Sequence, residues 1–342
     1  MRVALDISPI TSGHSVRGIG AYTKNLAEEL QKYQDQNLKL EFFNDPATPP
    51  PADVVHYPYF DLFKRTLPAK KTAKRVVTIH DVIPLVFPTY FPAGVKGYIN
   101  LFFQKRALKN SDAIICDSKT SKKDIGDKLS ITPDKIHVIY LAPSPSFRKL
   151  ETLDSSVPKK YKLPKEFILY VGDVNWNKNV LNLLAAAKIT KNNLVLVGKA
   201  FTDASLAEAR VINKKIHQLG IADQITKTGY VEDFELVEIY NRTKVTVLPS
   251  YYEGFGLPVL ESMACGTPVV TSNRGSLAEI AGPFAIICEP EDPRDIADKI
   301  EYALSLPSSK YQRLSQKSQV HAAKFTWVKT TAKTIKVYES LS

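Results

Sequence analysis

Two glutamates, Glu253 and Glu261, stand eight positions apart around Gly254-Phe-Gly-Leu-Pro258. A carboxylate accepts hydrogen bonds from two adjacent hydroxyls, so the pair suits a sugar and a ribose. Gly254 and Gly256 let the backbone turn sharply and come close to a ligand. Pro258 suits the first turn of a helix. The N–H groups of Phe255, Gly256 and Leu257 then fall at a helix start, where the positive dipole end favours anionic or hydroxyl-rich ligands. Taken singly, either glutamate also fits a solvated loop followed by a capped helix.

Three other positions have the right type and place for chemistry. His80-Asp81 follows the apolar run Val76–Ile79. Lys178 follows Gly172-Asp-Val-Asn-Trp-Asn177, beside the start of a helix, where a cation stabilises charge developing on a leaving phosphate. Gly18 and Gly20, in Arg17-Gly-Ile-Gly20, let a backbone approach phosphate. Each has a plainer reading: a structural histidine, an exposed lysine, an ordinary loop.

These residues need strand ends to hold them. Short β-rich runs alternate with helical stretches, the pattern of α/β layering with parallel strands. In the first half the expected strands are 3–7, 54–57, 76–80, 113–117 and 136–140, and the helices 20–33, 93–110 and 118–129, the last with Ser118 as N-cap. In the second half strands are expected at 167–171, 194–198, 225–228, 245–248 and 284–287. Helices are expected at 180–188, 204–219, 232–241, 259–265 and 292–306. Ser276 and Glu279 have capping-box spacing. The polar stretch 150–162 reads as an interdomain linker. In open α/β sheets ligands sit beyond the carboxyl ends of the strands, where His80, Gly172 and the Glu253 loop all fall.

As a unit, residues 249–270 resemble the E-x7-E motif of retaining glycosyltransferases of family four (group 1), with the GT-B fold. The resemblance extends over almost the whole chain, and His80–Pro92 looks like polysaccharide mannosyltransferases of the family. It implies two Rossmann-like domains with parallel sheets facing across a cleft. They would be an N-terminal acceptor-side domain, 1–155, and a C-terminal nucleotide-sugar domain, 163–322. A final helix, 323–342, would return to the first domain, with a mobile hinge.

The resemblance also implies roles. Catalysis falls to His80, Glu253 and Lys178. Glu253, with Gly254, Phe255, Gly256 and Leu257, holds the sugar, and Glu261 the ribose. Lys178 with Gly18 and Gly20 holds the diphosphate. The backbone at Tyr230 and Val231 reads the base, and His80 bonds the transferred sugar. By their own chemistry, and apart from the resemblance, Asp81 suits orienting the His80 ring or bonding the acceptor, and Asp173 suits repelling phosphate or bonding a sugar hydroxyl or the acceptor. Many relatives have an arginine where this chain has Asp173 or Asn177, so the phosphate clamp lacks a cation unless Arg17, Lys199 or Arg274 supplies it.

The implied reaction moves a sugar, mannose in the first place, from a nucleoside diphosphate sugar to a glycan or lipid-linked acceptor. GDP-mannose is the favoured donor and a UDP-sugar the next. Two alternatives share the architecture: a nucleotide-sugar epimerase-like enzyme, and a non-catalytic nucleotide-sugar or membrane-docking protein.

Composition narrows the class. The chain has 342 residues and a formal charge of +11. The excess lies in residues 1–160, with 24 Lys and Arg against 16 Asp and Glu. Residues 64–75 hold six cations and no acid. Such a block is a solvated face or a patch for phosphate or anionic lipid, and it suits peripheral membrane contact. The helical stretch Tyr98–Arg106, aromatic and basic, reads as a core-packed helix or as a lipid-facing surface. Nucleic acid is not the expected partner. Cys116, Cys265 and Cys288 are far apart in apolar settings, which argues for buried thiols in a reducing compartment. No apolar run reaches the length of a membrane span. The expected location is cytoplasmic, or peripheral on the inner membrane face. With no D-x-D triplet and no clustered histidines, neither metal nor other cofactor is expected.

Overall fold

The β-branched runs become short strands buried on both faces, as all-parallel sheets require. The computed structural model describes residues 1–11 and 18–341. It divides the chain into two units, Met1–Ala142 with Phe325–Ser342, and Pro143–Lys324.

Among the described residues, the first unit holds six strands: β1 (Arg2–Asp6), β2 (Lys39–Phe43), β3 (Val54–Tyr57), β4 (Lys74–Thr78), β5 (Ala113–Cys116) and β6 (Ile136–Val138), in the order β2-β1-β3-β4-β5-β6. The second also holds six: β7 (Ile168–Val171), β8 (Leu194–Val197), β9 (Ile225–Gly229), β10 (Val245–Leu248), β11 (Val269–Thr271) and β12 (Ile286–Ile287), in the order β12-β11-β10-β7-β8-β9. Every pairing is parallel. Each order reverses once, between β1 and β3 in the first sheet and between β7 and β10 in the second. At such a switch point the loops leave on opposite sides and open a crevice.

Register decides which residues meet at the strand ends. Thr78 pairs with Ile115 across β4 and β5, and the Ile79 N–H donates to the Ile115 carbonyl at 2.9 Å. Two residues beyond that pair lie His80 on one strand and Asp117 on the other. In the second sheet Thr246 pairs with Leu169, so the loops after β10 and β7 emerge side by side.

The last helix, Trp327–Glu339, starts with the Thr326 hydroxyl accepting from the Lys329 N–H. It packs on the first unit. Trp327, Val337 and Tyr338 join Val3, Leu5, Tyr22 and Leu26 in one core cluster. The Tyr338 hydroxyl meets His56 Nδ1 at 2.6 Å, and His56 Nε2 meets Thr78 Oγ1 at 2.8 Å. Burial pushes His56 down to about 3, so it stays neutral and its two nitrogens need one donor and one acceptor.

Several expectations change. Strand β2, with its alternating exposure, was not anticipated. The stretch read as a linker contains a helix, Ser156–Tyr161, and belongs to the second unit. Val157 enters the core there, and Lys160 and Tyr161 both bind Glu235, at 2.5 and 2.6 Å. The strand expected at 284–287 keeps only Ile286 and Ile287, because Gly282–Phe284 forms a 3-10 turn. The basic run 64–75 is divided. Arg75 is buried, donating to the Lys70 carbonyl (2.8 Å) and lying 5.9 Å from the Tyr57 ring centre. Lys71 and Lys74 pair with Asp112, at 2.6 and 3.6 Å. Lys64, Arg65 and Lys70 remain exposed. The three cysteines are buried, and none of them is in a disulfide.

Tyr338→Phe leaves the buried His56 nitrogen without its partner. Urea unfolding is expected to show a loss of about 1–2 kcal/mol with an unchanged m-value. An unchanged midpoint would show that this bond does not anchor the last helix.

Candidate active site

The second-unit site forms at the β7/β10 switch point. After β7 comes the Gly172 loop, a 3-10 turn Trp176–Lys178, and the helix Val180–Thr190. After β10 comes the 249–256 loop and the helix Leu257–Ala264. Two asparagines on either side of Lys178 join the loops. Asn177 is buried; its amide donates to the Tyr252 carbonyl at 2.9 Å, and its own carbonyl accepts the Tyr251 N–H at 2.8 Å. Asn179 sits in the left-handed region (φ 56°), which asparagine tolerates better than most residues. Its amide donates to the carbonyls of Pro249 (2.9 Å) and Pro290 (2.6 Å).

Held between them, Lys178 Nζ reaches both oxygens of Glu253, at 2.8 and 2.7 Å. Ser250 Oγ donates to the same carboxylate at 2.7 Å. Glu253 is buried and Lys178 nearly so. The two residues expected to share catalysis are therefore in direct contact. Trp176 and Tyr251 stack beside them, 4.9 Å between ring centres.

The glycine loop is clamped from one side. Gly256 has φ 91°, and a Cβ there would lie 2.7 Å from Leu277 Cδ2. A Cβ on Gly275 would lie 2.5 Å from the Glu253 carbonyl oxygen. The Ser276 hydroxyl donates to the carbonyls of Glu253 (3.0 Å) and Phe255 (2.9 Å). That corrects the capping-box reading: Ser276 is helical and its side chain caps nothing. The hydroxyl ties down the loop carbonyls instead. Phe255 is buried beside Gly256, and the helix begins at Leu257.

Glu261 lies one turn into that helix and is buried. It accepts from the Tyr240 hydroxyl at 2.9 Å. Burial pushes its carboxyl up to about 7, although the Tyr240 bond pulls the other way. Tyr230, half exposed, and Val231, buried, directly follow β9.

Asp173 folds back, its Oδ1 accepting its own neighbour's N–H, that of Val174, at 2.8 Å. Asn177 clamps the two loops together through its amide and its backbone carbonyl. Of the substitute cations, Arg17 lies outside the described residues. Arg274 pairs with Glu289 (3.0 Å) and Glu291 (3.4 Å). Lys199 follows Gly198, where a Cβ would collide with the Gly172 carbonyl oxygen. This places exposed Lys199 at the edge of the Gly172 loop.

In the first unit, Gly18 and Gly20 form the first turn of the helix Gly18–Gln31 rather than a loop; residues 12–17 lie outside the described ones. Tyr22 on that helix touches His80 edge-on, with ring centres 4.8 Å apart. His80 Nδ1 meets Asp117 Oδ2 at 2.7 Å. Asp117, not singled out from sequence, is thus the ring's partner, while Asp81 Oδ1 accepts the Ile83 N–H at 3.0 Å. Burial lowers the His80 pKa, but the charge and hydrogen bond of Asp117, with smaller help from Asp81, raise it overall above the ordinary value. Among the described residues, Asp117 Oδ1 is buried without a hydrogen-bond partner. Sequence reasoning missed Asp117, Ser250 and the clamping role of both asparagines, and it misread Ser276. Only the alternating Asn175, Asn177 and Asn179 around Lys178 carried a visible signal.

Lys178→Ala leaves Glu253 buried and unpaired. Chemical unfolding is expected to show a loss of about 3 kcal/mol, and Lys178→Met with Glu253→Gln should recover most of it. Additive losses in that cycle would rule out direct coupling. Glu261 sets a pH slope. Its folded pKa of about 7 exceeds the ordinary 4.5, so the native state holds the extra proton between those values. Its contribution is complete below pH 4.5 and is lost as pH rises through 7, about 3 kcal/mol in all. Urea midpoints of wild type and Glu261→Gln across that range should diverge accordingly. Parallel curves would mean that Glu261 titrates normally.

Two family models match the chain: glycosyl transferases group 1 over residues 154–321, and glycosyltransferase family 4 over residues 38–142. A serotype-specific mannosyltransferase of Escherichia coli is 29% identical over 282 residues, 79% of this chain and 34% of that protein. The O-antigen chain mannosyltransferase B of Escherichia coli is 29% identical over 274 residues, 78% of this chain and 71% of that protein. This chain thus spans about a third of the length of the first of these curated relatives. Among solved structures, sucrose-phosphate synthase from Thermosynechococcus elongatus superposes with TM-score 0.78 at 20% identity, covering 100% of this chain and 99% of that one. Anabaena HepE in complex with UDP-glucose gives 0.74 at 15%, covering 99% of each. At those identities the structures speak for the fold alone. With each half matched by its own model and the GT-B fold in place, the chain belongs to the family-four, group 1 glycosyltransferases.

Proposed function

We propose that this chain transfers a sugar from a nucleoside diphosphate sugar to a hydroxyl of a glycan or lipid-linked acceptor, with retention of anomeric configuration. The observation that carries the reading is the Lys178–Glu253 pair beside a helix start at the β7/β10 switch point. A cation for phosphate and a carboxylate for sugar hydroxyls already lie in contact, so a donor has only to enter between them. The names of the relatives, both mannosyltransferases, favour mannose, and GDP-mannose as donor ahead of a UDP-sugar.

In this proposal Lys178 turns from Glu253 to the diphosphate, with Lys199 and the Gly18–Gly20 turn as further phosphate contacts. Glu253, freed, accepts sugar hydroxyls together with the N–H groups of Phe255, Gly256 and Leu257. Glu261 bonds the ribose hydroxyls, and the Tyr230–Val231 backbone meets the base. The bond from the anomeric carbon to the phosphate oxygen breaks as the acceptor oxygen bonds the same face of that carbon. The acceptor proton passes to the leaving phosphate. His80, held by Asp117, bonds the transferred sugar, and Asp81 and Asp173 serve the acceptor. The charged ring favoured by Asp117 suits a site where negative charge develops. The basic first half supports a location at the inner face of a membrane. Among the described residues no helix is long and apolar enough to cross one.

The test is thermal stability against GDP-, UDP-, ADP- and dTDP-sugars without added metal. The matching donor at about a hundred times its dissociation constant should add roughly 2.7 kcal/mol. Glu253→Gln should keep that shift and lose transfer by at least about a hundredfold. A panel with no shift, or transfer undiminished in Glu253→Gln, would overturn the proposal.

A further inference from the structure

The helix Gly94–Lys109 is apolar on both sides. Its inner side, with Gly97, Leu101, Gln104 and Leu108, is buried. Gln104 is satisfied there by the Asp61 carbonyl (3.1 Å) and Thr66 Oγ1 (2.8 Å). The outer side carries large apolar groups where a solvated helix carries polar ones. Val95 is 79% exposed, Phe102 65%, Tyr98 53%, Ile99 52% and Phe103 45%. Spacings of three and four residues put Val95, Ile99 and Phe102 in one row. Exposed hydrophobic residues scattered singly need no explanation, but five on one helix form a patch.

The rim of the patch is cationic. From Leu62 to Lys109 the sequence has ten Lys and Arg, and Asp81 is the only acid. The Arg65 guanidinium lies 4.3 Å from the Phe103 ring centre, and its Nε donates to Asn100 Oδ1 at 3.2 Å. Arg106 and Lys109 are exposed and continue the outer row one and two turns beyond Phe102. Lys64 and Lys96 are also exposed. Aromatic rings with cations at their edges match the acyl boundary and phosphate layer of an anionic bilayer. A second copy matches less well, because a two-fold contact would set these cations against themselves.

We propose that the outer face of this helix docks the chain on an anionic phospholipid surface. The proposal deepens the lipid-linked acceptor reading, and rests on it for its purpose, by naming the surface that meets the lipid. The full chain is sedimented with phosphatidylcholine vesicles, alone or holding about one-quarter phosphatidylglycerol, in ~0.1 M salt. Binding to the anionic vesicles should be at least tenfold stronger and should fall as salt rises. Ile99→Ser with Phe102→Ser should cost at least tenfold, as should Lys64→Glu with Arg106→Glu, with melting temperatures unchanged. In Phe102→Trp, indole emission should shift to the blue when anionic vesicles are added.

Three results would overturn the proposal: no binding to anionic vesicles, binding indifferent to the Ile99 and Phe102 changes, or a solution dimer that those changes dissociate. Donor stabilisation, read without vesicles, tests the transferase proposal separately, so either can fail alone.

Discussion

Two opposite charges taken almost out of water need each other, and the second unit is arranged to keep Lys178 and Glu253 in contact. Desolvating either costs several kcal/mol unless its partner is close and well oriented. Neither residue is placed by its own strand or helix. Glu253 rides on a loop and Lys178 on a short 3-10 turn, and the two segments are fixed to one another by Asn177 and Asn179 through the carbonyls of Tyr252, Pro249 and Pro290. On the far side, Gly275 and Ser276 hold the Glu253 backbone. The segments that carry the pair are thus held from both directions.

The first unit uses a different device at the same kind of place. His80 lies just beyond the end of β4 and Asp117 just beyond the end of β5, and parallel register sets them side by side. Behind them runs a chain of polar contacts. Tyr22 meets Thr78 (3.1 Å), Thr78 meets His56, and His56 meets Tyr338 of the last helix. Tyr22 also presses on His80. The chain's last helix is therefore joined through buried hydrogen bonds to the strand that carries the histidine. Networks of this kind are costly if half satisfied, which favours one arrangement over neighbouring ones.

Much of this was legible in order along the chain. The β-branched runs, Ser118 as a cap and the glycine-proline start of the Leu257 helix were read correctly because each depends on a few adjacent residues. Readings that needed distant partners failed. Ser276 has capping-box spacing, yet its hydroxyl finds two loop carbonyls twenty-odd residues earlier. The polar 150–162 stretch has a linker's composition, yet Glu235 anchors it. Arg75 looks like one more surface cation, yet carbonyls and the Tyr57 ring satisfy it inside.

The sequence by itself determined the α/β alternation, the two glycine-bearing loops and the residue types that could meet phosphate and sugar. Those properties reside in local propensity and periodicity, which act over a few residues. Only the tertiary structure decided that Lys178 faces Glu253, that Asp117 rather than Asp81 holds the His80 ring, and that Phe102 points outward. Strand order and register set those contacts, between residues tens of positions apart, and parallel strands joined by crossovers leave no local trace of which neighbour they will pair with.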